Sequence, residues 1–313
     1  MRSLAAAGRL SGRYLVRAAG FLPEKDDKPS GIGVPDRMCC GASLSLPEVP
    51  GGALEYAGEA EICESVEDAL DGAEAVLLPL PVTVDGEHLT MPFSGRLIEL
   101  DEVCRLIKQS GASYAAGGRL GGFTDIAARY DIEVFDYYDR EDFAVANAVP
   151  TAEGAICIAM RELPVTIDGM RAVVVGYGRI GKLLSAKLKA LGADVTTTSR
   201  RAEDLAWTRA AGIRAAETSG LSELLHEIHP DVVFNTVPRI VLGEKELSEC
   251  RGALIVDLAS KPGGVDIFAA GKLGMRVIWA LSLPGRTSPV SAGRIIADIF
   301  SDYIEKAGGN ADL

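Results

Sequence analysis

The sequence predicts an α/β protein of two α/β domains, the C-terminal one built on a doubly wound parallel sheet. Three observations carry this. Residues 171–181 read RAVVVGYGRIG, an apolar run stopped by a GxGxxG at Gly176, Gly178 and Gly181 and followed by helical spacing over 182–191. From residue 170 to residue 280 short apolar runs alternate with helical segments, the pattern of a parallel sheet with right-handed crossovers and helices on both faces. The chain has 313 residues, 48% of them hydrophobic, which suits two cores better than one. Together these specify a Rossmann domain, with a last helix that packs back across the domain boundary.

The elements follow in order. Residues 1–20 give no convincing first strand; Gly8 to Arg13 (GRLSGR) is a fragment of a phosphate-like loop. Residues 24–49 are rich in Pro, Gly and charge and read as a loop that hides a strand. Helices are expected at 66–70 and 101–108, and strands at 75–79, 113–116 and 133–137. Residues 150–161 are apolar at helical spacing, with Pro150 and Thr151 as a start signal and Glu153 in the first turn; this helix joins the domains. Strands are expected at 172–175, 194–198, 213–215, 232–236, 254–257 and 276–279, with helices at 202–211 and 221–228 among them. Residues 288–307 form the final helix, and 308–313 a polar tail. The domains are therefore 1–149 (substrate or partner), 150–165 (connecting helix), 166–283 (cofactor) and 284–313 (C-terminal helix and tail).

The glycine run has a specific chemistry. Gly176 permits the tight turn, Gly178 lets main-chain N–H groups approach a phosphate, and Gly181 lets helix and strand pack closely. The helix N-terminus adds unpaired donors and partial positive charge, so Tyr177, Arg179 and Ile180 complete the anion cradle. The second strand then selects the cofactor. An NAD site would place an acid at its far end, about 20 residues past the glycines, to bond the ribose 2′-OH. Here that end reads Ser199, Arg200, Arg201, and Asp194 opens the strand at the wrong edge. A hydroxyl and two arginines suit a 2′-phosphate, which predicts NADP; the rival reading is a solvated basic turn. Two later strands end in polar, bent segments where a nicotinamide and its ribose would lie: Asn235, Thr236, Val237 and Pro238, and Asp257 with Ala259 and Ser260 in DLASKPGG. Ordinary βα turns use the same residue types.

A net charge of −12 and a pI near 4.9 disfavour nucleic acid as a partner. No apolar run reaches the length of a membrane span, and the small apolar stretch at 4–7 is too short for a signal peptide. Six scattered cysteines and three histidines form no zinc pattern, so no metal is expected, and reduced thiols suit a cytoplasmic protein.

The combination of DREDFAVANAVPTAEGAI (139–156), GYGRIG (176–181), NTVP (235–238), DLASKPGG (257–264) and LPGRTSPVSAG (283–293) resembles the A-subunit family of the dipicolinate synthases of spore-forming bacteria. DLASKPGG and the PTAEG segment separate it from shikimate, alanine and methylene-tetrahydrofolate dehydrogenases. The resemblance covers more than half the chain. Family members open with a strand and a Gly-Gly-Asp turn followed by Arg, which is not found here. What the resemblance implies is a cytoplasmic enzyme of the lysine branch acting in the mother cell during sporulation. It would oxidise dihydrodipicolinate, or its hydrated precursor, to pyridine-2,6-dicarboxylate, with NADP⁺ taking the hydride. The family works with a second, flavoprotein-like B subunit. The sequence leaves a homo-oligomer open.

That chemistry makes demands that the residues can meet. The ring becomes aromatic, so driving force is available, and the site must hold a small planar dicarboxylate against the nicotinamide. Carboxylates need cations, hydroxyls or helix N-termini. Arg140, Ser94, Ser288 and Arg119 are the expected substrate contacts, on the two sides of a cleft between the domains; for Arg140 the rival is a surface ion pair with a neighbouring acid. Glu153 and Asp142 are the candidates for taking the proton, although Glu153 suits equally a carboxylate facing a helix dipole. Two other readings stay open: a shikimate- or hydroxy-acid-type NADP dehydrogenase, and a cofactor-binding scaffold whose partner performs the oxidation.

Overall fold

The computed structural model describes residues 2–11, 15–19, 58–91 and 96–308. The expected loop at 24–49 and the candidate Ser94 lie outside the described residues. The described chain divides into two units: unit 1 takes residues up to 146 and from 289 onward, and unit 2 takes 147–288.

Unit 1 begins with α1 (Arg2–Ser11), then β1 (Arg17–Ala18), β2 (Glu61–Ile62), α2 (Val66–Leu70), β3 (Ala75–Leu77), α3 (Leu100–Ser110), β4 (Tyr114–Gly117), α4 (Phe123–Ala128) and β5 (Val134–Asp136). The phosphate-like fragment is thus corrected: Gly8 to Ser11 are helical, because Ala5, Ala6, Ala7 and Leu10 form a buried apolar face. Strands β3, β4 and β5 make a three-stranded parallel sheet, and β1 and β2 a separate parallel pair. Amphipathic α3 supplies Leu100, Val103, Cys104, Leu106 and Ile107 to the core beneath β3 and β4, and stops at Gly111 in the left-handed region (φ 76°).

Helix α5 (Glu141–Glu162) runs across the boundary between the units. Its start corrects the expected one at Pro150, which lies inside the helix. Proline removes one rung of the helical ladder, and beside the gap the Thr151 hydroxyl donates to the Asn147 carbonyl at 2.8 Å. Residues 141–149 therefore continue the helix instead of preceding it. Helix α5 also revises the membrane expectation: at 22 residues and mean hydropathy 1.4 it is long and apolar enough to cross a bilayer, yet over half of that window is buried inside the protein. Ala152, Ala155, Ile156 and Ala159 are core residues, which marks it as a core helix.

Unit 2 continues with β6 (Arg171–Val175), α6 (Arg179–Ala190), β7 (Asp194–Ser199), α7 (Ala202–Ala210), β8 (Arg214–Glu217), α8 (Leu221–Ile228), β9 (Val232–Asn235), α9 (Glu244–Glu249), β10 (Leu254–Asp257), α10 (Ile267–Lys272), β11 (Arg276–Trp279) and α11 (Leu283–Thr287). All six strands are parallel in the order β8-β7-β6-β9-β10-β11, the doubly wound order whose direction reverses between β6 and β9. The central strands β6, β9 and β10 are buried on both faces, as their near-continuous apolar sequences require. The last helix, α12 (Pro289–Gly308), belongs to unit 1. It packs Ile296, Ala297 and Phe300 with Ala6 and Leu10 of α1. A Cβ on Gly293 would lie 2.6 Å from the Ala6 nitrogen, so the two helices cross nearly backbone to backbone.

Candidate functional site

The reversal point of the unit 2 sheet lies where β6 and β9 run side by side, with Val175 opposite Asn235. Ligands of such sheets sit beyond the carboxyl ends of the strands at this point. Val175 leads into Gly176, whose φ of +99° is open to glycine and costly for other residues. A Cβ there would strike the Thr236 hydroxyl and lie 2.9 Å from the Val237 side chain. A Cβ on Gly181 would collide with the Gly176 carbonyl oxygen. Gly178, by contrast, has nothing within 4 Å of its Cβ position and forms the extended N-cap of α6. The turn is therefore packed behind and open in front, where main-chain donors of Gly178, Arg179 and Ile180 begin the helix. Tyr177 is buried and carries the Lys182 ammonium 5.5 Å from its ring centre, and Ile180 packs against the core. These residues fit a diphosphate.

At the far end of β7, Ser199 is buried and its hydroxyl donates to Asp204 at 2.9 Å. Arg201 pairs with Glu203 and, at 3.8 Å, with Asp204. Arg200 is exposed and makes no ion pair among the described residues. Of the three residues expected to grip a 2′-phosphate, Arg200 has its guanidinium available, while Arg201 offsets two acids that would repel the ligand.

The polar residues after β9 and β10 behave differently from a ligand-facing lining. Asn235 and Asp257 are buried, at 0% and 1% exposure, and bond to each other, Asn235 Nδ2 donating to Asp257 Oδ1 at 2.8 Å. Asp257 also accepts from the main-chain N–H of Ala259 (3.1 Å) and Gly264 (2.8 Å). Asn235 donates to the Val237 carbonyl and accepts from the Val237 N–H. Thr236 donates its hydroxyl to the Val175 carbonyl at 3.0 Å. The Ala259 carbonyl accepts from the Trp279 indole at 2.9 Å. These side chains tie the two loops together, and the exposed residues of the loops are Pro238, Ser260, Lys261 and Pro262. Their motif was visible in the sequence; the direction of their side chains was not.

The expected acid and substrate residues are scattered over both units. Glu153 is in the middle of α5, not its first turn, and receives the Lys187 ammonium at 2.8 Å. Asp142 and Arg140 hold each other, Nε to Oδ1 at 2.8 Å, which realises the ion-pair reading of Arg140. That contact holds the Asp142 carboxyl down at about 2. Ser288 closes the end of α11, its N–H donating to the Pro284 carbonyl. Arg119 follows β4, exposed, its guanidinium 5.6 Å from the Tyr138 ring centre. A cavity of about 810 Å³ in unit 1 borders β3; its lining is largely aliphatic (Leu10, Leu70, Val76, Ile107, Ile304), and its Arg17 is bonded to Glu61. It does not suit a dianion.

The fold and the glycine turn define a dehydrogenase-like protein with a nicotinamide-dinucleotide-binding fold. No protein-family model matches the chain. It is 31% identical over 249 residues to the A subunit of dipicolinate synthase from Bacillus subtilis (strain 168), covering 77% of this chain and 81% of that one. The chain belongs to the dipicolinate synthase A-subunit family. It superimposes on the crystal structures of the A subunits from Bacillus halodurans (TM-score 0.75, 26% identity, 97% of this chain and 94% of that one) and from Bacillus subtilis (0.76, 25%, 99% and 94%). A transhydrogenase from Sinorhizobium meliloti shares the fold at 17% identity (TM-score 0.63, 97% and 89% of the chains).

Proposed function

We propose that this chain is an NADP-dependent dehydrogenase that oxidises dihydrodipicolinate, or its hydrated precursor, to pyridine-2,6-dicarboxylate in the cytoplasm, and that its partner is a flavoprotein-like B subunit. The observation that carries the reading is the turn at 176–181, closed behind by Thr236, Val237 and the Gly176 carbonyl and open in front at Gly178. Bound there, the cofactor supplies the hydride acceptor. The chain's own part is to seat the diphosphate on main-chain N–H groups, to hold the 2′-phosphate at Arg200, and to keep the loops at 236–238 and 258–264 fixed through Asn235 and Asp257. One ring hydrogen leaves as hydride and one as a proton, and aromatisation supplies the driving force. Asp142, held at about 2 by Arg140, is a weak base at neutral pH. Arg119 and Ser288 are the proposed carboxylate contacts.

One observation favours a second reading, a cofactor-binding scaffold: both carboxylates suited by sequence to take the proton are bound to cations. Purified protein mixed with dihydrodipicolinate and NADP⁺ separates the two. The dehydrogenase reading expects NADPH absorbance to rise with no partner present. A flat trace that rises only when the B subunit is added supports the scaffold.

A further inference from the structure

Two arginines stand at the carboxyl edge of the unit 1 sheet with no ion pair among the described residues. Arg2 opens α1 and its Nη2 donates to the Leu80 carbonyl at 3.2 Å, the one polar contact of its guanidinium among the described residues. Leu80 follows β3. Its side chain lies 2.7 Å from where a Cβ on Gly118 would stand, as does the Tyr137 ring, so the segments after β3, β4 and β5 meet at one place. The next residue, Arg119, has φ +54°, a left-handed conformation that a side chain makes costly. Held backbone of this kind gathers at ligand sites. Its guanidinium rests beside the Tyr138 ring, 5.6 Å from its centre. Burial pushes the Arg2 guanidinium below its usual pKa.

Two of the nearby acids already have partners. Asp136 accepts from the main-chain N–H of Tyr138 (2.8 Å) and Leu120 (3.3 Å). Asp142 is taken by Arg140. A half-buried guanidinium that has given up water for a single carbonyl gains from an anion, since a charge-assisted bond to carboxylate is about twice as strong as a neutral one.

We infer that Arg2, Arg119 and the Tyr138 ring form a carboxylate-binding lining at the carboxyl edge of β3, β4 and β5, with Arg2 an additional substrate-binding residue. This rests on the dicarboxylate substrate proposed above. It explains the pairing of two arginines with an aromatic face: a planar pyridine acid presents both a carboxylate and a ring.

Calorimetric binding of pyridine-2,6-dicarboxylate and pyridine-2-carboxylate, alongside NADP⁺, tests the inference on wild type, Arg2→Gln, Arg2→Lys and Arg119→Gln. Wild type is expected to favour the dicarboxylate. Arg2→Gln and Arg119→Gln are each expected to weaken it by about 10-fold or more, to narrow its advantage over the monocarboxylate, and to leave NADP⁺ affinity unchanged. Arg2→Lys is expected to restore part of the loss. Variants that bind the dicarboxylate as wild type does overturn the inference. A wild type that binds NADP⁺ but neither acid overturns the substrate reading instead. If Arg2→Gln does not fold, Arg119→Gln with Arg2→Lys carries the comparison, because Arg119 is exposed.

Discussion

The two parallel sheets carry contrasting groups at their carboxyl edges. In unit 2 the polar side chains at the strand ends, Asn235 and Asp257, are buried in bonds to each other and to three main-chain N–H groups. Beside them stand the backbone of the glycine turn and the exposed Arg200. In unit 1 Arg119 follows β4 and Arg2, from α1, bonds the Leu80 carbonyl after β3, neither paired with an acid among the described residues. The difference teaches that a conspicuous polar motif at strand ends can serve to tie loops together.

The largest expected effect breaks the scaffold. Asp257→Ala leaves the Asn235 amide and the N–H groups of Ala259 and Gly264 without their acceptor, and is expected to cost about 3–5 kcal/mol of stability by urea denaturation. Arg119→Gln at the other edge is expected to change stability by less than ~0.5 kcal/mol. Equal losses in the two variants would erase the contrast. Next comes the turn. Gly181→Ala forces a methyl into the Gly176 carbonyl, so NADP⁺ affinity, read by nicotinamide fluorescence titration, should fall by about 100-fold, roughly 3 kcal/mol.

How much of this was legible follows from the kind of signal each part gives. The strands of unit 2 could be placed nearly to the residue: β6, β9 and β10 because parallel strands buried on both faces are contiguous apolar runs between turns, the others because they alternate with helices at regular spacing. The glycine turn was legible because its flanks are local in sequence. Helix α1 was missed because its buried face is mostly alanine (Ala5, Ala6 and Ala7 with Leu10), and the glycines and arginines around it read as a loop. The first nine residues of α5 were missed because Pro150 reads as a start, although a proline inside a helix is accommodated here with the Thr151 hydroxyl bonded one turn back to Asn147. The pairing of Glu153 with Lys187, 34 residues apart, and the place of Arg2 beside Leu80, 78 residues away, are long-range facts with no local signature.

Smaller effects sharpen the comparison. Arg200→Ala should weaken NADP⁺ by about 10-fold, through loss of a charged hydrogen bond, and leave NAD⁺ affinity as it was. Arg201→Ala should do less, because that guanidinium already serves Glu203 and Asp204. The smallest effect concerns pH. The folded pKa of Asp142 is depressed, from an ordinary 3.8 to about 2, so its contribution is present above 3.8 and is lost as pH falls toward 2. The pair is solvent-exposed and screened, so Asp142→Asn should flatten the acid limb of the stability profile only slightly.

The most direct measurement is a crystal structure of the protein soaked with NADP⁺. The diphosphate should sit against the main-chain N–H groups at 178–180, with the 2′-phosphate at Arg200. Density for the nucleotide at another place, with this bend unvisited, would contradict the account.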